Sequence, residues 1–234
     1  MLDLSLNLGI NLKEIKKTCI ICPVADHSLF EKLGKPKRNN LFFAKIMNYS
    51  NSNVTVISTK NNFLVGDIVL CLKNSACENV ILFGSCGGVG DVKIADKLIV
   101  KKAFNFESFS EMLEMKRNPD SYYPSTILLD NFLSKTKQNI IQVKCVTSNS
   151  IVLQRTYKDW FDKNKINAID MECSSVFSAA SAINKKAIAL FYVTDHISEA
   201  SPFETELDEK QRAQLLNTRQ ELADSICDFI SNNG

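Results

Sequence analysis

Three short segments of this chain carry residue types that could do chemistry, and each lies where an apolar run gives way to a turn. The first is Phe83-Gly-Ser-Cys-Gly-Gly-Val-Gly90. Gly84 and Gly87 let a backbone approach a ligand and leave N–H groups free, and Ser85 adds a hydroxyl. No Gly-Lys-Ser/Thr follows, so this is not a nucleotide-phosphate loop of the Walker type. The second is Ala168-Ile-Asp-Met-Glu-Cys-Ser-Ser175, with Asp170 and Glu172 on either side of Met171. An acid there is either a helix-capping group complementing the helix dipole or a hydrogen-bond acceptor for sugar hydroxyls. The third is Leu190-Phe-Tyr-Val-Thr-Asp-His-Ile197. Asp195 follows a wholly apolar run, where desolvation would raise its pKa and fit it to donate a proton. The bland alternative is an N-cap for the next segment.

The elements that must position these residues alternate. Apolar runs at Lys17–Val24, Leu41–Met47, Val54–Ser58, Asn79–Gly84, Lys97–Phe104, Ile140–Thr147 and Ala187–Thr194 read as strands. Phe63–Asn74, Ser125–Thr136, Asp170–Asn184 and Leu207–Ile230 read as helices. This interleaving predicts a single α/β domain over residues 1–234, with a mixed, mostly parallel sheet covered by helices on both faces. Ligands of such sheets bind beyond the carboxyl ends of the strands. Glu107–Pro124 is the weakest stretch and reads as a long loop or flap. Asn48–Asn53 reads as the turn of a strand pair. The basic cluster Lys35, Lys37 and Arg38 reads as a solvated loop or element end.

Composition excludes more than it assigns. Of 234 residues, 45% are hydrophobic and 23% charged, and the formal net charge of +2 gives no reason to expect nucleic acid as a partner. No run approaches the ~20 apolar residues of a membrane span, and the first residues lack the basic and apolar regions of a secretion signal. Eight cysteines without a disulfide framework fit the cytoplasm. Cys19-Ile-Ile-Cys22 reads as buried strand, not as a metal or redox motif. The acids lack metal-ligand spacing, and no metal or organic cofactor is expected.

Together and in this order, the three segments resemble the nucleoside phosphorylase and nucleosidase superfamily. Gly84-Ser-Cys-Gly-Gly88 and the following Val92–Val100 are similar to the family's Gly-Ser-x-Gly-Gly turn and next strand, with Ala95 in a glycine place. Asp170-Met-Glu172 is similar to its acidic-Met-Glu sugar-binding element. Val193-Thr-Asp-His-Ile197 is similar to the Val-Ser-Asp-His-Ile of bacterial hexameric purine nucleoside phosphorylases. The resemblance implies that Asp195, beside Thr194, protonates or hydrogen-bonds the leaving base. It implies that Met171 and Glu172 hold the ribose, and that Ser85 with the Gly84–Gly88 backbone faces the nucleophile. Ser148–Leu153 aligns with the base-pocket loop, with Val152 stacking on the base. Family members are homo-oligomers, so a homodimer or a hexamer is expected.

Departures from the family bear on the nucleophile. Leu82 occupies the place of a phosphate-binding arginine, and the loop after the first strand is Cys22-Pro-Val-Ala-Asp-His27, without the usual arginine. A phosphate dianion needs such cations. The methylthioadenosine nucleosidases also lack them and use an acid after the first strand to activate water; Asp26 sits close to that place, as general base with Glu172 helping to orient the water, or simply as a helix N-cap. That branch has an arginine where Phe191 stands here, and Ser58-Thr-Lys-Asn-Asn-Phe63 replaces its Gly-rich segment. Gln154-Arg155 differs in spacing from the Gln-x-Arg of uridine phosphorylases. Lys210 or Arg212 could assist Asp195 or be surface charges. The expectation is hydrolysis of a purine nucleoside with water as nucleophile. Inorganic phosphate would be a co-substrate only in the alternative phosphorylase reading, whose site would use Ser85, backbone N–H groups and a lysine. A nucleoside-binding protein without catalysis is the third alternative.

Overall fold

A computed structural model describes residues 8–23, 27–41, 43–114, 119–197 and 207–232. Its strands are β1 (Thr18–Cys22), β2 (Lys37–Asn40), β3 (Ala44–Tyr49), β4 (Val54–Thr59), β5 (Asn79–Gly88), β6 (Lys97–Phe106), β7 (Ser121–Tyr122), β8 (Ile141–Ser148), β9 (Ala168–Asp170) and β10 (Lys186–His196). Its α-helices are α1 (Val65–Cys71), α2 (Phe109–Glu114), α3 (Thr126–Lys135), α4 (Lys158–Asn164), α5 (Cys173–Ala182) and α6 (Glu209–Ser231). No described helix is long and apolar enough to cross a membrane.

The strands form one mixed sheet in the order β10-β6-β8-β9-β5-β1-β4-β3-β2, with β7 on β6. β10 also pairs with β5, so β5, β9, β8, β6 and β10 close on themselves. β1 lies parallel between β4 and β5, and β5 runs parallel to β10. Antiparallel pairs (β2–β3, β3–β4, β5–β9, β6–β7 and β6–β10) are as prominent as the parallel ones.

The long apolar runs have a physical cause. Along β10, Ala187, Ala189, Phe191 and Val193 face one core, whereas Ile188, Leu190 and Tyr192 face another. β1 divides likewise, with Cys19 and Ile21 on one side and Ile20 and Cys22 on the other. A strand buried on both faces cannot alternate with polar residues. The first core packs α1 and α5 against the sheet through Val65, Ile68, Val176 and Phe177. The second packs α3 and α6 through Phe132, Leu222, Ile226 and Phe229. A third, aromatic cluster joins Phe104, Phe106, Tyr157, Trp160 and Phe161. All eight cysteines are buried, and none forms a disulfide.

One local expectation holds and two are corrected. Lys37 and Arg38 open an exposed edge strand, a solvated element end as the sequence suggests, and Lys37 pairs there with Glu14 at 2.7 Å. Charge on an edge strand is compatible with pairing because only its inner side needs a partner. The Gly-rich segment remains strand as far as Gly88, held by β10 on one side and β9 on the other. The stretch after Glu107 contains α2 and β7 within what the sequence reads as a loop.

Candidate functional site

Three chain segments converge at the carboxyl ends of β5, β9 and β10 around a cavity of about 270 Å³. Gly84, Ser85 and Gly87 line it from β5, Asp170, Met171 and Glu172 from the β9–α5 junction, and Thr194 and Asp195 from β10. Ser148, at the end of β8, also lines it. These residues are separated by up to 111 positions in the chain, so sheet pairing alone brings them together.

The position of Asp195 depends on an irregularity in β10. Val193 pairs with Cys86, but Asp195 pairs with Gly87, so Thr194 is an extra residue in the strand. Such a bulge re-aims the side chains beside it. The Thr194 hydroxyl lies 2.8 Å from Asp195 Oδ1, to which it donates, and 3.2 Å from the Cys86 carbonyl. A Cβ on Gly87 would sit 3.4 Å from Asp195 Oδ2, so the carboxyl rests directly against that glycine. Burial pushes the Asp195 pKa up, against the Thr194 hydrogen bond and the neighbouring His196, which pull it down. His196 Nε2 is 3.1 Å from the Gly90 carbonyl, a structural contact.

Asp170 and Glu172 occupy different roles although they are two residues apart. Asp170 Oδ2 accepts the backbone N–H groups of Glu172 (2.9 Å) and Cys173 (2.5 Å). Its Oδ1 accepts from the Thr147 hydroxyl at 2.8 Å and the Cys145 thiol at 3.4 Å. Asp170 therefore satisfies the first N–H groups of α5, the capping role. Glu172 is the N-cap residue by position, yet its side chain makes no capping hydrogen bond. Both are buried, at 4% and 6% exposure. Burial raises Asp170 to about 6 against four hydrogen bonds that stabilise its charged form. Burial, then the Asp170 charge, raises Glu172 to about 8. Of the pair, Asp170 is the better ion and Glu172 the better proton holder.

Some expected site residues lie elsewhere. Val152 is 79% exposed and outside the cavity lining; its neighbour Ile151 is on the wall instead, with Gln154. The loop is irregular, so sequence alignment could not fix which of two adjacent side chains turns inward. Asp26 lies outside the described residues, three positions beyond Pro23, which lines the cavity. Ser148 is inside, but its hydroxyl also donates to the Ser150 carbonyl at 3.1 Å. Phe191 packs beneath Gly84, 3.6 Å from where a Cβ would be. Lys210 and Arg212 are not in the lining.

One residue of the cavity wall, Asn62, and one behind it, Glu107, escaped the sequence argument. Asn62, from the segment that departs from the family's Gly-rich pattern, lines the cavity and donates through Nδ2 to Met171 Sδ at 3.4 Å. Glu107 accepts hydrogen bonds from the Ser174 and Ser175 hydroxyls in the first turn of α5. Only the departure itself signalled Asn62, and nothing in local spacing signalled Glu107. Among the described residues the lining holds no Lys, Arg or His. No group of three or more described His, Cys, Asp or Glu residues is arranged to hold a metal.

Comparisons with known proteins extend this picture. The sequence model of the Phosphorylase superfamily matches residues 31–230. A purine nucleoside phosphorylase DeoD-type 2 of Photobacterium profundum is 24% identical over 160 residues, 66% of this chain and 67% of its own. A purine nucleoside phosphorylase DeoD-type of Latilactobacillus sakei is 26% identical over 58% of this chain and 59% of its own length. The chain thus spans about three fifths to two thirds of these relatives. In three dimensions it resembles the Campylobacter jejuni 5'-methylthioadenosine/S-adenosyl homocysteine nucleosidase, with a TM-score of 0.75 and 13% identity over 93% of this chain and 99% of that one. The uridine phosphorylase of Vibrio fischeri gives a TM-score of 0.74 with 14% identity, over 94% of this chain and 93% of that one.

Proposed function

Since the chain belongs to the phosphorylase superfamily, we propose that it cleaves the N-glycosidic bond of a purine nucleoside, with water as the nucleophile. The observation that carries this reading is three carboxyl groups, Asp170, Glu172 and Asp195, around one cavity without a cation among its described lining residues. Glycosidic cleavage builds positive charge on the sugar, and the ionised Asp170, with the acceptor oxygens of the other two carboxyl groups, favours that charge. The Asp170 charge opposes a phosphate dianion, which no Arg or Lys among the described lining residues would hold.

Each group then has a role. Asp195, whose burial shifts its pKa up towards the protonated form, donates to the leaving nitrogen of the base. Glu172 and Met171 hold the ribose, and Ile151 contributes the apolar wall of the base pocket. Ser85 and the Gly84–Gly87 backbone face the nucleophile. Asp26, by its place in the sequence, is the candidate base for water. No cofactor takes part, the partner is the small-molecule nucleoside, and the chain acts as a homodimer or hexamer in the cytoplasm. Eight thiols without a disulfide support that compartment.

The test is product analysis by mass spectrometry on methylthioadenosine, adenosine, inosine and uridine, with and without phosphate. Free ribose, or its 5'-substituted form, without phosphate is the expected product. Ribose 1-phosphate appearing only with phosphate would reject the hydrolytic reading in favour of phosphorolysis, as in the purine nucleoside phosphorylases named above. Binding without base release would reject both. Asp195→Asn is expected to lower kcat/KM by roughly 10²- to 10⁴-fold while retaining nucleoside binding.

A further inference from the structure

Glu107 stands between β6 and α2, and its backbone and side chain make contacts in three directions. Its carboxylate accepts the hydroxyls of Ser174, at 2.7 Å, and Ser175. Its carbonyl accepts from the side-chain amide of Asn149, in the loop after β8. Its N–H donates to Asn105 Oδ1 at 2.8 Å. The run of bonds continues inward. Ser174, wholly buried, donates its N–H to Thr147 Oγ1 at 2.8 Å, and that hydroxyl donates to Asp170 Oδ1 at 2.8 Å. Asp170 in turn holds the N–H of Glu172. Five residues from four elements are linked without a break, from the end of β6 to the cavity floor.

This arrangement does more than cap a helix. Asp170 already satisfies the first N–H groups of α5, so a second acid is not needed for the dipole. Glu107 reaches the helix through two hydroxyls, which fix the rotation of its first turn. That turn carries Glu172 and follows Met171 directly. We propose that Glu107 is a positioning residue, which clamps the first turn of α5 and the Asn149 loop to the end of β6 and so sets where Glu172 and Met171 stand in the cavity. Its value for sugar binding rests on the glycosidic-cleavage reading; its effect on Glu172 does not.

The electrostatics support the same connection. After burial and Asp170, Glu107 also raises the pKa of Glu172. Among the described residues, the other titratable groups beside Glu172 or on the cavity wall with it are Cys173 on α5, Cys86 on β5 and Asp195 on β10. None is a cation that would mask the contribution of Glu107.

The experiment follows the Glu172 carboxyl directly by 13C NMR in glutamate-labelled protein, assigned with Glu172→Gln. Wild type, Glu107→Gln, Glu107→Ala, the Ser174→Ala/Ser175→Ala pair and that pair combined with Glu107→Ala are compared, and base release is measured on each. Removing the Glu107 charge should lower the Glu172 titration midpoint by roughly half a pH unit or more. Glu107→Ala should lower kcat/KM by roughly tenfold to a hundredfold, mostly through KM, because a displaced sugar contact weakens binding. Glu107→Gln, which keeps an acceptor, should recover part of that loss. Adding the serine changes to Glu107→Ala should cost little more, since one clamp is lost only once. An unchanged Glu172 midpoint with additive losses would overturn the proposal. If wild type releases no base, the cleavage reading fails, and the NMR midpoint still decides the role of Glu107.

Discussion

Replacing Glu172 by glutamine should make the protein more stable at pH 8 than wild type, while leaving the two nearly equal at pH 5. The argument starts from burial: the carboxyl is 6% exposed, its nearest charged neighbour is Asp170, and its pKa rises from 4.5 to about 8. A carboxyl whose folded pKa is raised binds its proton more tightly in the folded state. Its stabilising contribution is complete below pH 4.5 and is lost as pH rises towards 8. At about 1.4 kcal/mol per pH unit, the whole interval corresponds to at most roughly 5 kcal/mol. Relaxation of the cavity reduces this, and about 2 kcal/mol between pH 5 and pH 8 is the change expected. Glutamine resembles the protonated acid and has no charge to desolvate. Urea denaturation of both proteins at pH 5, 6, 7 and 8 gives the difference directly. Asp170, raised to about 6, contributes to both proteins and largely cancels in the subtraction. A difference that stays constant or shrinks with rising pH would refute the account of this pair.

Further expectations concern the supports of the site. Thr147→Val removes the 2.8 Å donor of Asp170 and the acceptor of the Ser174 N–H, both buried; each orphaned group costs about 1–3 kcal/mol, and Thr147→Ser should recover most of the loss in a urea titration. Gly88→Ala would place a Cβ 3.0 Å from His196 Cδ2, Val193 Cγ1 and Val92 Cγ2, and overpacking of this kind costs about 1–3 kcal/mol. Urea titration checks that loss, and by the same measurement Gly66→Ala, whose Cβ meets only the Ser175 Cβ at an ordinary 3.6 Å, should be stabilising by about 0.5–1 kcal/mol. Ala95 has φ 70° and donates its N–H to the Val193 carbonyl at 2.9 Å, beside the Thr194 bulge. A left-handed backbone costs an L-residue about 1–2 kcal/mol, so Ala95→Gly should raise the melting temperature; a lower one would mean that the alanine methyl is needed for packing.

The sequence carried the elements whose pattern is set locally. The apolar runs of β1 and β10 announced strands buried on both faces, because burial on two sides removes the need for polar alternation. Ser125 and the periodic residues after it marked α3, where the serine hydroxyl does accept the Leu128 N–H. The long terminal helix was equally legible, and its capping box at Asp208 and Gln211 is a local device. The order of the Gly-Ser, Asp-Met-Glu and Thr-Asp segments also pointed to one site, since each falls at a strand end.

What the linear pattern could not contain was decided by pairing across the sheet. One extra residue at Thr194 determines where Asp195 points, and that bulge exists only against β5. Which of Asp170 and Glu172 caps α5 depends on Thr147 and Cys145, more than twenty residues earlier. Ile151 rather than Val152 faces the cavity because an irregular loop has no side-chain period to read. Glu107 finds its serine partners 67 and 68 residues away, and β10 closes the sheet by pairing with β5 as well as β6. The sequence by itself set which residues could be buried in strands and helices, because burial and capping act over neighbouring positions; the tertiary structure alone chose which acid keeps its proton, because desolvation and charge depend on neighbours that the chain brings in from afar.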